Sequence, residues 1–438
     1  MAYDITGEQR LVARGGGGLF YDRPSGNSIY PQVQNPPTIR NITLRYSTLQ
    51  SLGGLATEAP PTLTVYQYDS GLPSTWQWNG GLQIVLPGAV ALDVEYTGER
   101  AYNIVENVDI NAVDFGAAFQ PSNQDATLSS GTPGAAAVLA DQMRTFRGFS
   151  SITQAMARGR LTSHSVQTSF TRRFANGFSF GFNDAWLLSQ KGSTAARLQH
   201  NADGTFEERA DQAEADKLFG NFVPVKHNFK GNFVWDLPDF KSDSGSLRVL
   251  SAIVNDWQVS GVWTASNGAA YTVATSYQGG ATGNGNQNIT GSPNYAGRMR
   301  IVGDIGSGCS SDPLKQFVAG GFAPPLSGSL GLESSADYLR GCFQSAFDMA
   351  IARNIRFGGN RTVQLRLDMF NASNEARITG RNATLSVASP TDPTPANLAF
   401  DSAGNPISTR SLPKNAGFGV ANAYQNPRTL QAQIRFSF

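Results

Sequence analysis

RTLQAQIRFSF, Arg428–Phe438, is the stretch whose reading decides the fold. Leu430, Ala432, Ile434, Phe436 and Phe438 alternate without a break with Thr429, Gln431, Gln433, Arg435 and Ser437. Side chains of an extended strand point to opposite faces with a period of two, so one face here is apolar and the other polar. A soluble sheet sets such an apolar face against a core. A strand that ends its chain on an aromatic of that face asks for a different apolar neighbour.

Composition narrows what the neighbour is. Charged residues make up 15% of the 438, against roughly 25% in soluble proteins. The net charge of +1 gives neither a nucleic-acid footprint nor an acidic tail. The 47 Gly and 22 Pro, with 26 Phe and 13 Tyr, suit many strands joined by turns and loops. No run approaches the ~18 apolar residues of a membrane helix, and GAAAVLA at 134–140 is far too short. A chain like this enters a membrane only as a closed barrel, where every backbone group is paired. Met1–Gly7 shows neither the basic nor the apolar region of a signal peptide, so the expectation is that an N-terminal part lies outside this chain.

Upstream, the same alternation recurs in hairpins. Gln9–Tyr21 sets Leu11, Ala13, Gly15, Gly17, Leu19 and Tyr21 on one face. Its four glycines lack the Gly-Lys-Ser/Thr and helix of a phosphate loop and read as a bent or closely packed strand. Trp76, Trp78, Leu82, Ile84 and Leu86 lead to a Pro87-Gly88 turn, after which Val90, Leu92, Val94 and Tyr96 alternate with Asp93, Glu95 and Thr97. Acidic residues at every second position do not suit a core on both sides, only a wetted face. Further hairpins are read at 160–190 around Ala175-Asn176-Gly177, at 227–273 with a turn inside 237–246, and at 347–369 around Gly358-Gly359-Asn360. Between them 22–75 (with a local strand at 39–46), 98–158, 191–223, 276–344 and 371–427 read as long loops. Short turns alternating with long loops argue against a compact soluble domain and fit an antiparallel transmembrane β-barrel, with turns in the periplasm and loops outside the cell. The expectation is an all-β fold with about ten to twelve strands.

Seven stretches together resemble one family, the TonB-dependent outer-membrane transporters of the Oar-like type. They are MAYDITGEQRLVARGGGGLFYDRPSGN, STWQWNGGLQIVLPGAVALDVEYTGERA, FTRRFANGFSFGFNDAW, KHNFKGNFVWDLP, NDWQVSGVWTASNGAAYTV, FDMAIARNIRFGGNRTVQLRLDMFNASN and NPRTLQAQIRFSF, in that order over nearly the whole chain. The resemblance implies a barrel of about 22 strands closed by an N-terminal plug and energised through TonB. Residues 1–438 would be the C-terminal portion of that barrel, with plug, TonB box and signal peptide absent. It also implies the partners: outer-membrane lipid, the barrel-assembly machinery, the TonB complex through the missing N-terminal region, and an extracellular ligand. The Asn/Gly/Ser-rich loops would suit a glycan or polymer as that ligand. Ile434, Phe436 and Phe438 would resemble the family's C-terminal assembly signal.

Other residues are weighed against plainer roles. Cys309 and Cys342 are an even pair in an oxidising envelope, expected as a disulfide clamping a loop, with two free thiols as the alternative. Asp348, Arg356, Arg366 and Asp368 read as an interior ion-pair lining rather than as acid/base catalysts. Trp76, Trp78, Trp257 and Trp263 read as an aromatic girdle at the membrane interface before they read as sugar platforms. His164, His200 and His227 are scattered, without metal-site spacing, and no nucleophile motif appears, so no cofactor or enzyme activity is expected. Two readings compete with the transporter barrel: a self-contained porin or adhesin barrel, and a secreted all-β glycan-binding protein or hydrolase.

Overall fold

The structure, a computed structural model, describes residues 1–23, 25–39, 60–192, 198–200, 206–208, 225–240, 253–277, 285–357 and 361–438. Its frame is a twelve-stranded sheet. In chain order the strands are β1 (Ala2–Asp4), β2 (Leu11–Tyr21), β3 (Leu63–Tyr66), β4 (Ser74–Leu86), β5 (Val90–Asp109), β6 (Ile152–Ala175) and β7 (Phe178–Gly192). Then come β8 (His227–Asp236), β9 (Trp257–Ser266), β10 (Gln344–Arg356), β11 (Thr362–Phe370) and β12 (Thr429–Ser437). All but β3 follow one another side by side as an antiparallel meander, while β3 runs parallel to the start of β6. The described sheet is open: β1 pairs with β2 and β12 with β11, and neither pairs with the other.

Residues paired across antiparallel strands share a face, so the register sorts every side chain. Leu430, Ala432, Ile434 and Phe436 stand beside Met369, Leu367, Leu365 and Val363, and these beside Met349, Ile351, Arg353 and Ile355. The same face continues through Trp263, Phe233 and Phe182 to Leu92, Ile84 and Leu11. The other face carries Gln433, Arg366, Asn232, Asn183, Glu95 and Asn79. Much of the apolar face is bare: Trp76, Leu82, Trp235, Leu430, Ile434 and Phe436 are all exposed. So continuous an apolar surface is stable in contact with lipid, not with water. No helix among the described residues is long and apolar enough to cross a membrane, so any crossing is by strands.

Two expectations need correction. The stretch 98–158 is not all loop, because β5 runs on to Asp109 and β6 begins at Ile152. A membrane crossing takes about 9–11 residues, so these strands of 20 and 24 residues project well past it. Nor are the long connections structureless. Segments 267–277, 285–343 and 371–428 fold together around Val273, Met299, Phe317, Phe322, Leu339, Leu385, Val387 and Phe418. Ala274–Tyr277 runs parallel to Thr384–Val387, Ala270–Tyr271 pairs with Leu339–Arg340, and Ile378–Arg381 pairs with Ala421–Tyr424. Among the described residues, this cluster of buried aromatic and aliphatic side chains lies in the loop layer rather than in the wall. The expected strand at 39–46 beyond Ile39, most of the charged loop at 191–223, most of the turn at 237–246, the Gly358-Gly359-Asn360 turn and most of the Asn/Gly tract lie outside the described residues; within 191–223, Leu198–His200 pairs antiparallel with Phe206–Glu208.

Candidate ligand-facing wall and loop layer

The polar face has a concavity of about 580 Å³ over β2, β4, β5 and β6. Alternation and register build it row by row. Gly16, Asn79, Thr97 and Ser165 form one row; Gly18, Gln77, Glu99 and Ser163 form the next; Arg14, Gly81, Glu95 and Gln167 lie on the other side of the first. The floor is low along β2 because Gly16 and Gly18 bring no side chain to it. A Cβ on Gly16 would stand 3.2 Å from Asn79 Oδ1, and one on Gly18 would stand 3.3 Å from the Phe20 ring. Within the concavity Asn79 donates to Glu95, and the Thr97 and Ser165 hydroxyls meet at 2.6 Å.

The four expected lining residues do share the polar face, but they do not form one network. Arg366 and Asp368 pair with each other at 2.8 Å. Asp348 instead accepts the Asn371 backbone N–H at 2.8 Å, which anchors the exit of β11. Arg356 sits at the short-turn end, exposed, with Asp256 at 4.0 Å. Strand parity gave the face but not the height, and height decides which charges meet.

Trp76, Trp78, Trp257 and Trp263 all lie on the apolar face. Trp78 lies across Gly98, where a Cβ would be 2.3 Å from its indole, and its edge meets His164. The Tyr96 hydroxyl lies 2.7 Å from His164 Nδ1. Two strands on, His227 stacks between Trp186 and Phe229 and bonds Asp184 at 3.1 Å. From the sequence His164 and His227 read as scattered; their Tyr96 and Asp184 partners, at the loop end of the apolar face, were not singled out. Asp184 and His227 are 43 residues apart, and only pairing of β7 with β8 joins them.

Above the wall, Cys309 and Cys342 form a disulfide with Cα atoms 5.0 Å apart, tying the loop interior to the approach of β10. A second knot forms where β5 leaves the sheet. Asn111, fully buried, donates to the carbonyls of Phe146, Phe149 and Ser150, while Asp109 accepts from the backbone of Asn111 and Ile152. Arg144 bridges Asp109 and Asp141. Asn294 and Ser292 bond both sides of the Val113 backbone, and Gly116 and Ala118 donate to Thr290 and Gly291. The β5–β6 loop is thus fastened to the β9–β10 loop. Burial raises the Tyr271 hydroxyl to about 12, against the opposing pull of Arg381, and raises Tyr277 and Tyr338 in the same layer. Among the described residues no group of three or more His, Cys, Asp or Glu converges as a metal site.

Comparison with known proteins agrees with this architecture. A family model described as an outer membrane beta barrel domain matches residues 1–431. No curated protein sequence matches. Among solved structures, the outer membrane transporter YddB from Escherichia coli is similar with a TM-score of 0.43 and 10% identity, over 90% of this chain and 38% of that one. A mutant ferric enterobactin receptor, PfeA, from Pseudomonas aeruginosa gives 0.41 and 11%, over 99% and 38%. The siderophore receptor PirA from Acinetobacter baumannii gives 0.40 and 11%, over 87% and 37%. The chain therefore spans less than two fifths of the length of each. A wall with an apolar face on one side and a polar face on the other fits the outer membrane beta barrel that the matched family is described as. The chain belongs to the outer membrane beta barrel domain family, and its place is the bacterial outer membrane.

Proposed function

We propose that this chain forms barrel wall and outer loops of a TonB-dependent receptor that takes a ligand across the outer membrane with energy drawn from TonB. The observation that carries the reading is the division of the molecule. An antiparallel wall with a polar inner face is roofed by loops that pack into a body of their own, fastened to one another across the intervening β7–β8 hairpin. A passive pore needs only the wall; a packed, disulfide-bonded roof suits a receptor that holds its ligand before admitting it. The ordered series of family-like stretches supports the same reading. In this reading the tryptophans of the apolar face, with His164 and His227, form the girdle at the membrane interface. Ile434, Phe436 and Phe438, all exposed, serve as the edge offered to the assembly machinery.

The test compares cells with the intact gene and cells lacking the codons for residues 1–438. Accumulation of radiolabelled ferric siderophores and neutral oligosaccharides is measured with and without a protonophore. Deletion is expected to abolish a protonophore-sensitive component for at least one probe. Loss of a protonophore-insensitive component alone would mark a diffusion porin and overturn the proposal.

A further inference from the structure

We infer that the concavity on the polar face of β2, β4, β5 and β6 is a binding site for a neutral oligosaccharide, a subsite on the path of the transported ligand. The inference deepens the receptor reading above and rests on it for the word path, but not for the binding itself.

The lining decides the ligand class by elimination. It carries the carboxylates Glu95 and Glu99 and no Lys or Arg; Arg14, which stands beyond Gly81 in the Glu95 row, donates to Gln83 instead. An anionic ligand, such as a phosphate or a ferric chelate of net negative charge, would meet like charge there. A metal ion lacks a cage, because Glu95 and Glu99 are two strand repeats apart on one face, roughly 13 Å along β5, and Glu95 already accepts from Asn79. A wholly apolar ligand would strand Gln77, Asn79, Thr97, Ser163, Ser165 and Gln167 without water. A ligand dense in hydroxyls, each both donor and acceptor, satisfies amides, hydroxyls and carboxylates alike.

Geometry supports the same class. Gln77, Glu99, Ser163 and Gln167 make no side-chain hydrogen bond to the described residues, so their capacity is open. Neighbouring strands stand about 4.8 Å apart, close to the repeat of one hexose, so a glycan lying across the strands meets a polar group at each ring. Phe20 completes the site. It is 57% exposed, and its ring folds back over Gly18 at the edge of the concavity, leaving an aromatic surface beside the amide and carboxylate row. Such a ring stacks on the C–H face of a sugar while the polar row bonds its hydroxyls. A volume of about 580 Å³ is that of a ligand-sized cleft.

The test titrates the full chain in detergent with neutral oligosaccharides of glucose, xylose, mannose and N-acetylglucosamine, and separately with spermidine and inorganic phosphate, by calorimetry. At least one neutral oligosaccharide is expected to bind saturably. Phe20→Ala and Glu99→Gln should each weaken it by about tenfold, the loss of one good contact, while gel mobility before and after heating shows that the wall still folds. Binding unmoved by both variants, preference for spermidine or phosphate, or no saturable sugar binding would overturn the inference. Energised uptake of a siderophore would survive any of these, and a sugar site in a chain without energised uptake would leave the receptor reading to fail alone.

Discussion

The wall and the loop layer are made from one chain and held together in opposite ways. In the wall, the side chains of β12 are exposed along the whole strand, and on the apolar face Trp76 and Leu82 of β4, Trp235 of β8, and Leu365 and Leu367 of β11 are exposed. Its cohesion is the ladder of backbone hydrogen bonds and the lipid that covers one side. In the layer, Phe317, Phe322 and Phe418 meet edge to face with centroids 4.9–5.9 Å apart, and Val387 and Leu339 are no more than 1% exposed. Its cohesion is a side-chain core, as in a small soluble domain. One chain therefore answers to two solvents, and a substitution should act according to the region it falls in.

The sharpest way to break this contrast is to empty the layer's core. Phe418 is 2% exposed and touches Phe317 and Phe322. Phe418→Ala is expected to destabilise the layer by about 3–5 kcal/mol. Protease cleavage within 267–343 and 371–428 should rise while the heat-modified gel mobility of the wall persists. Leu365→Ala on the lipid-facing side of β11, 38% exposed, should cost much less. Loss of wall and layer together in Phe418→Ala would show one cooperative unit and end the distinction.

Next in size is the covalent tie. The Cys309–Cys342 disulfide closes a span of 33 residues and, on the chain-entropy account, contributes roughly 3–4 kcal/mol. The double variant Cys309→Ser with Cys342→Ser should loosen the layer by that order and leave the urea midpoint of the wall unchanged.

What was legible in the sequence follows the same division. Wall strands announce themselves because lipid on one side and water on the other force a period of two, as at Val363–Met369 and Leu430–Phe438. The continuation of β5 was missed because the period loses phase there. Asn103 adopts a left-handed φ of 56°, and the register with β6 shifts between Ala101 and Val105. After such a bulge Ile104 and Val105 no longer alternate with the strand before them. The layer was illegible for a different reason. Met299, Phe317, Phe322, Leu339 and Phe418 follow no period of two or of 3.6, and turns and side-chain-to-backbone bonds position them instead of a repeat. The sugar-sized concavity was half legible: alternation set Glu95 and Thr97 on the wetted face, but only register brought them beside Gly16 and Gln167.

A smaller effect probes the wall's own packing, where glycine matters by neighbour rather than by number. Gly80 and Gly98 both lie on the apolar face, yet a Cβ on Gly80 meets nothing within 4 Å and one on Gly98 meets the Trp78 indole at 2.3 Å. Gly98→Ala is expected to cost about 1–3 kcal/mol by displacing Trp78. Gly80→Ala should be close to neutral. Urea unfolding in liposomes, followed by tryptophan emission, measures both; equal effects would mean that Trp78 does not rest on Gly98.

The smallest expected effect is alkaline and should belong to the layer alone. Tyr271 donates its hydroxyl to the Gly308 carbonyl at 2.8 Å beside the Arg381 guanidinium, which lies 4.8 Å from its ring centroid. Burial outweighs that cation and holds the hydroxyl protonated up to about 12, against an ordinary 10.0. Unfolding exposes it, so between pH 10 and about 12 the unfolded layer sheds a proton that the folded layer keeps. The unfolded state then binds fewer protons, and stability falls as pH rises through that window, while below it the group contributes no slope. Tyr277 and Tyr338, raised by burial as well, steepen the fall. Tyr271→Phe removes one titrating group, so the protease resistance of the layer should decline less steeply above pH 10, even from a lower starting point. A decline of the same slope in both proteins would place the alkaline sensitivity in the wall, and the layer would then be no separate body in its response to pH.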